Sequence, residues 1–132
     1  MKGIYAYLGI HDNSLKYIGS AVGKNGLRGR IWSQHLNPIY LESRKNKFTE
    51  KDKKQLSKRV LRNNKPVIEK SAFRKNLARK YDLTPGESCL KFLKENFLLV
   101  FAPLIDYDTK EILSIEKHLI LNENPEFNRR KF

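Results

Sequence analysis

Cysteine is almost absent from this chain. Cys89 is the only one in 132 residues, which excludes an internal disulfide and any zinc site built on several thiolates. Long apolar runs are missing as well. The longest, Phe97 to Leu104, contains Pro103 and is far shorter than the roughly twenty residues a membrane helix needs. The opening MKGIYAYLGIHD lacks the apolar stretch of a signal peptide. A cytoplasmic protein with no membrane partner is therefore expected. Acidic residues are scarce beside basic ones: 14 Asp+Glu against 27 Lys+Arg, a net charge of +13. The isoelectric point near 9.9 and a mean hydropathy of −0.63 fit a soluble chain whose partner is a polyanion.

That charge is concentrated. Residues 42–82 hold fifteen Lys/Arg and five Asp/Glu, a net of +10, and the rest of the chain carries only +3. The middle is therefore the expected polyanion-gripping segment. The length suits one domain with its own core, spanning residues 1–132.

Local signals give an element order. Ile4 to Ile10 and Leu15 to Ser20, split by His11-Asp12-Asn13-Ser14, read as a β-hairpin. Leu27 to Leu36 fits a helix stopped by Asn37-Pro38. Thr49-Glu50-Lys51-Asp52 opens a basic helix to about Asn64, and Ser71 caps another through Lys80. Thr84-Pro85-Gly86-Glu87 supplies an N-cap, a first-turn proline and an N3 carboxylate for a helix to about Glu95. Phe97 to Ala102 has the composition of a buried central strand, and Thr109 to Leu121 of a last helix. The class is α+β: a small antiparallel sheet flanked by helices.

The last helix carries an anomaly. At about 100° per residue, Ile112, Leu113, Ile115, Leu119 and Ile120 form one apolar stripe, and Glu116 falls inside it. A carboxylate on a core-facing stripe needs a cation, a metal or strong hydrogen bonds. It is either an edge residue paired with a nearby Arg or Lys, or a catalytic or metal-binding group. In the hairpin, Tyr5, Tyr7 and Tyr17 are interleaved with Gly3, Gly9 and Gly19. Strand tyrosines are commonly packing residues. Gly19 within a strand marks a place of close approach.

Gly3-Ile4-Tyr5 followed by Tyr17-Ile18-Gly19 resembles the signature of the GIY-YIG nuclease superfamily. Tyr17 to Ala21, then Gly26-Leu27-Arg28-Gly29-Arg30-Ile31 and His35-Leu36, is similar to that family's second block. Ile115 to Ile120 and Asn124 to Asn128 are similar to its closing blocks. The resemblance covers about residues 3–37 and 97–128. It implies a three-stranded antiparallel sheet flanked by helices, with a basic helical insertion at about 38–96.

It also implies a DNA endonuclease that hydrolyses phosphodiesters with one Mg2+ or Mn2+ ion per active site. The implied roles are Glu116 as the metal ligand, Tyr5 as the base for water, and Tyr17 as a phosphate or water ligand. Arg30 would meet the charged phosphorus centre, His35 would accompany it, and Asn128 would orient the site. Magnesium takes hard oxygen ligands and can be held by one carboxylate plus waters and phosphate. The arginine assignment stays open between Arg30, favoured by the block alignment, and Arg28, which an α-helical repeat would place near His35.

The DNA, double-stranded in this reading, would be gripped by Lys24, Arg28, Lys58, Arg59, Arg62, Arg74, Lys75 and Arg79. A homodimer is expected if both strands are cut. The competing readings are a non-catalytic nucleic-acid-binding protein on the same fold and a basic RNA-associated protein. Tyr5, Tyr17 and Glu116 argue against the first, since binding alone needs none of them, and a plasmid incubation with and without magnesium separates all three readings. Both tyrosines must reach one phosphate, so they are expected on one sheet face. That requires an odd-length loop or a bulge in the hairpin.

Overall fold

The computed structural model describes residues 1–42, 61–62, 65–66 and 68–128. The chain divides into two compact units, Met1–Ser33 with Asn96–Phe132, and Gln34–Glu95. The second includes the basic middle of the sequence, residues 42–82.

In the first unit, β1 (Gly3–Gly9) and β2 (Leu15–Ala21) form the hairpin. Asp12 shapes its turn by accepting from the Ser14 N–H and hydroxyl, and Asn13 takes the left-handed conformation. A third strand, Phe97–Pro103, pairs antiparallel with β1 and completes a sheet of order hairpin strand two, strand one, then this strand. The expectation of a central strand there is corrected. β1 occupies the centre and is buried almost throughout, whereas Leu98, Val100 and Phe101 of the last strand are exposed. Pro103 is tolerated at that edge because a missing donor costs no ladder bond there.

After β2 the chain enters α1 (Gly26–Arg28), which continues as a π-helix over Gly29–His35. A helix was expected here, but not this one. The wider π turn abolishes the α-helical repeat that would have stacked Arg28 with His35.

The last helix, Thr109–Glu123, starts at a capping box in which Asp108 and Glu111 satisfy each other's backbone N–H. Alternation along the hairpin sends Ile4, Ala6 and Ile18 to one face, where they form a core cluster with Ile112 and Ile120. Ile115 and Leu119 pack against that cluster. Leu113, placed on the stripe by periodicity, is exposed. Phe127 and Asn128 then run along the outer edge of β2.

The second unit contains β3 (Leu41–Glu42), β4 (Leu61–Arg62), β5 (Lys65–Pro66) and β6 (Ile68–Glu69), so the last strand of the first unit is β7. β3 pairs with β6, and β4 with β5. Two helices follow, α2 (Ala72–Tyr81) and α3 (Glu87–Asn96), which makes the C-terminal helix α4. The basic helix expected to reach Asn64 does not include residues 61–62. Pro66 lacks an N–H and biases Lys65 to an extended backbone. Residues 49–60 of that expectation lie outside the described residues.

Ser71 caps α2 as expected, accepting from the Arg74 N–H at 3.3 Å. α3 begins three residues later than its Thr84 signal. Gly86 has φ +95°, outside any right-handed helix, and its carbonyl accepts the Leu90 N–H. Ile68, Phe73, Leu77, Cys89, Leu90 and Leu93 form the buried interior. No helix among the described residues is long and apolar enough to cross a membrane.

Candidate active site

The hairpin register brings Tyr5 opposite Gly19 and Tyr7 opposite Tyr17. A bulge between Tyr7 and Leu8 sets that phase, which puts Tyr5 and Tyr17 on the shared face one phosphate would require. The rings of Tyr5 and Tyr17 lie 6.3 Å apart, and Tyr7 meets Tyr5 edge-on. Gly19 lies under the Tyr5 phenol. A Cβ at that position would overlap the ring, so only glycine fits.

The two hydroxyls hydrogen-bond to each other. Either hydroxyl of the pair can donate to the other. Burial dominates both groups. Tyr5 is held well above the ordinary phenol range, with neighbouring Tyr17 adding to the rise and Arg30 opposing it. Tyr17 is also raised by burial and by Glu116, against Arg30 and the bond with Tyr5. Tyr5 is 2% exposed and Tyr17 only half-buried, so Tyr17 is the member of the pair that meets solvent.

Ser20 follows on the alternate face, opposite Ile4 and towards α4. There it hydrogen-bonds Glu116 through both its hydroxyl and its backbone. Glu116 is half-buried. Burial raises its pKa, while Ser20 and the Arg30 charge resist that rise. Ser20 was not singled out from the sequence. Its signal was a polar residue at a core-facing position of β2.

Arg30 is exposed on the π-helix, and its charge acts on Tyr5, Tyr17 and Glu116 alike. Arg28 and Lys24 are exposed as well. Asn128 holds the backbone of Ile18 from both sides. Its Oδ1 accepts the Ile18 N–H at 2.8 Å, and its Nδ2 donates to the Ile18 carbonyl at 2.7 Å. It thereby fixes the strand between Tyr17 and Gly19 and closes part of the outer edge of β2.

Glu116 fits a divalent cation as a single hard-oxygen ligand, oriented by Ser20. No group of three or more His, Cys, Asp or Glu that could hold a metal occurs among the described residues. A cation at Glu116 would complete its shell from water and substrate phosphate.

Two residues require correction. His35 is 3% exposed, with Nδ1 2.5 Å from Ser71 Oγ and its ring edge-on to Phe73. Enclosed in this way inside the second unit, it is a core histidine rather than a group that meets a phosphate.

Arg74, expected on the DNA-gripping surface, is fully buried. Its Nη2 lies 2.6 Å from Glu69 Oε2, and its Nη1 donates to the carbonyls of Gln34 and Asn37. Glu69 Oε1 also accepts the Gly86 N–H at 2.7 Å. This network ties four segments of the second unit together. Lys75 and Arg79 are half-buried on α2. The side chain of Arg62, and all of Lys58 and Arg59, lie outside the described residues.

No protein-family profile, curated protein or solved structure matches this chain.

Proposed function

We propose that this protein is a metal-dependent DNA endonuclease of the GIY-YIG type. The observation that carries the reading is the convergence of one arginine, Arg30, on the Tyr5–Tyr17 hydroxyl pair and on Glu116. A packing role for the tyrosines would require neither the cation nor the carboxylate.

In this reading an in-line water forms a bond to phosphorus, and the bond from phosphorus to the leaving oxygen breaks. The water's proton passes to the tyrosine pair. Tyr17 receives it in the fraction of molecules in which its phenol is ionised, becoming the neutral phenol, because Tyr5 is enclosed and Tyr17 meets solvent. The base is thus the Tyr17 phenolate, with the Tyr5 hydroxyl beside it as a hydrogen-bond donor, rather than Tyr5 alone. The leaving oxygen takes a proton from solvent. Arg30 offers a planar fork of donors to the phosphate oxygens as negative charge accumulates on them. Glu116 would hold one Mg2+ or Mn2+, which supplies Lewis acidity toward the phosphate and the leaving oxygen. Asn128 positions the tyrosine strand rather than touching the phosphate.

DNA is the partner this chemistry and the +13 net charge favour. Two copies would act together if both strands are cut. A plasmid incubation with and without magnesium tests the reading. Metal-dependent nicking or linearisation is expected. Glu116→Gln should abolish it while DNA binding persists, because a negative charge facing phosphate is removed. Wild-type turnover by Glu116→Gln would refute the single-carboxylate site. Undiminished binding with no cleavage by the parent would favour the non-catalytic alternative.

A further inference from the structure

The single tryptophan of the chain stands in the open. Trp32 is 65% exposed on the π-helix, although indoles are rarely left in water. The packing of that segment is otherwise ordinary: Leu27 and Ile31 are 6% and 4% exposed and anchor it to its own unit. Arg28, Arg30, Trp32 and Ser33 are exposed. The surroundings are cationic. Lys24, Arg28 and Arg30 precede Trp32 within a few positions, and no Asp or Glu occurs between Asp12 and Glu42. Arg28, four positions before Trp32 on the same helical segment, shares its side of the helix.

An exposed aromatic plane set among cations is complementary to a nucleic acid: the cations meet phosphates and the ring meets a base. In a continuous duplex, base faces are covered by their neighbours and only base edges reach the grooves. A base offers its face where it is unpaired, at a gap, a bulge or a frayed end. We propose that Trp32 stacks on an unpaired base beside a phosphate met by Arg28. The preferred substrate is then DNA carrying a local single-stranded step, not uninterrupted duplex. This inference rests on the nuclease reading for its choice of DNA, but its test does not depend on cleavage.

The lone indole is its own reporter. The full-length protein, in metal-free buffer, is titrated with a short labelled duplex containing a two-nucleotide gap and with its fully paired counterpart. Tryptophan emission and the anisotropy of the label are followed together. Emission should be quenched by the gapped DNA and not by the paired DNA. Trp32→Ala should weaken binding to the gapped DNA at least about fivefold, the lower end of what one base stack contributes, and leave paired-duplex binding nearly unchanged. Trp32→Phe, which keeps a stacking face, should restore most of the loss. Circular dichroism confirms that both variants are folded, as substitution of an exposed side chain should allow.

Equal quenching by both DNAs would overturn the preference for an unpaired base. Binding to both with unaltered emission would remove Trp32 from the DNA surface. An emission shift with phosphatidylserine vesicles but not with DNA would assign the indole to a membrane surface instead. Failure to bind either DNA would overturn this proposal together with the DNA-binding half of the nuclease reading. Gap-specific quenching without any cleavage on adding magnesium would retain this proposal and refute the enzyme.

Discussion

Removing the Asn128 side chain beyond Cβ tests how far the tyrosine-bearing strand depends on its clamp at Ile18. Asn128→Ala deletes two hydrogen bonds to Ile18, at 2.8 and 2.7 Å. Each contributes about 0.5–1.5 kcal/mol net, so the pair is worth about 1–3 kcal/mol. The backbone bond from the Phe127 N–H to the Lys16 carbonyl at 2.9 Å remains and keeps the C-terminal segment near β2. For a chain of this size each kcal/mol corresponds to roughly 4 °C, so the melting temperature should fall by about 4–12 °C. Ile18 lies between Tyr17 and Gly19, and looser positioning there should reduce turnover at least about tenfold. The assay pairs thermal unfolding by circular dichroism with plasmid cleavage well below the variant's transition. Asn128→Asp should be no better. It can still accept from the Ile18 N–H but sets a charged oxygen against the Ile18 carbonyl. An unchanged melting temperature with unchanged turnover would refute the clamp. Lost turnover at unchanged melting temperature would make Asn128 a catalytic residue instead.

Burial raises both tyrosines, so their deprotonated forms are scarce at neutral pH and increase as pH rises toward their pKa values. The cleavage rate should climb about tenfold per pH unit between pH 7 and 9, and a flat profile would remove the tyrosine pair as base. On the acid side, the raised pKa of Glu116 means activity should begin to fall at a higher pH than an ordinary glutamate would give, as magnesium titrations at several pH values would reveal. Arg74→Ala leaves the buried Glu69 carboxylate unpaired and should cost about 3–5 kcal/mol in denaturant unfolding. A stable Arg74→Ala with weakened DNA binding would return Arg74 to the DNA-gripping surface. Lys75→Ala with Arg79→Ala should flatten the salt dependence of DNA affinity by up to about two units of slope, one for each phosphate no longer neutralised. An unchanged slope would move the grip to Lys24 and Arg28.

Features governed by neighbours in sequence could be read from it. The parity of the hairpin demanded a bulge or an odd loop because both tyrosines had to share a face, and the Tyr7/Leu8 bulge meets that demand. The Ser71 cap is a local hydrogen bond. Glu116 was legible because a helical stripe reports burial. Arg74 was not. In a run of Lys and Arg, sequence carries no sign of which cation turns inward. The partner that turns it, Glu69, is in turn tied by a backbone bond to Gly86, seventeen positions on. The same bond, with the positive φ at Gly86, shifted the start of α3 away from the Thr84 signal. The edge position of β7 was hidden for a related reason. Composition announces a strand, but which strand takes the centre is decided by long-range pairing with β1.

The clamp joins residues 110 positions apart, and the carboxylate of Glu116 is almost as distant from the tyrosines it accompanies. A ribosome adding roughly 5–20 residues per second would expose the tyrosine hairpin on the order of 5–20 s before those partners. In the mechanism proposed above, a nascent chain would during that interval hold the tyrosines without the carboxylate that would hold a cation. Synthesis arrested anywhere before α4 would then yield fragments unable to cut the DNA they approach. The order of the genetic message would then delay the proposed activity until α4 has been made.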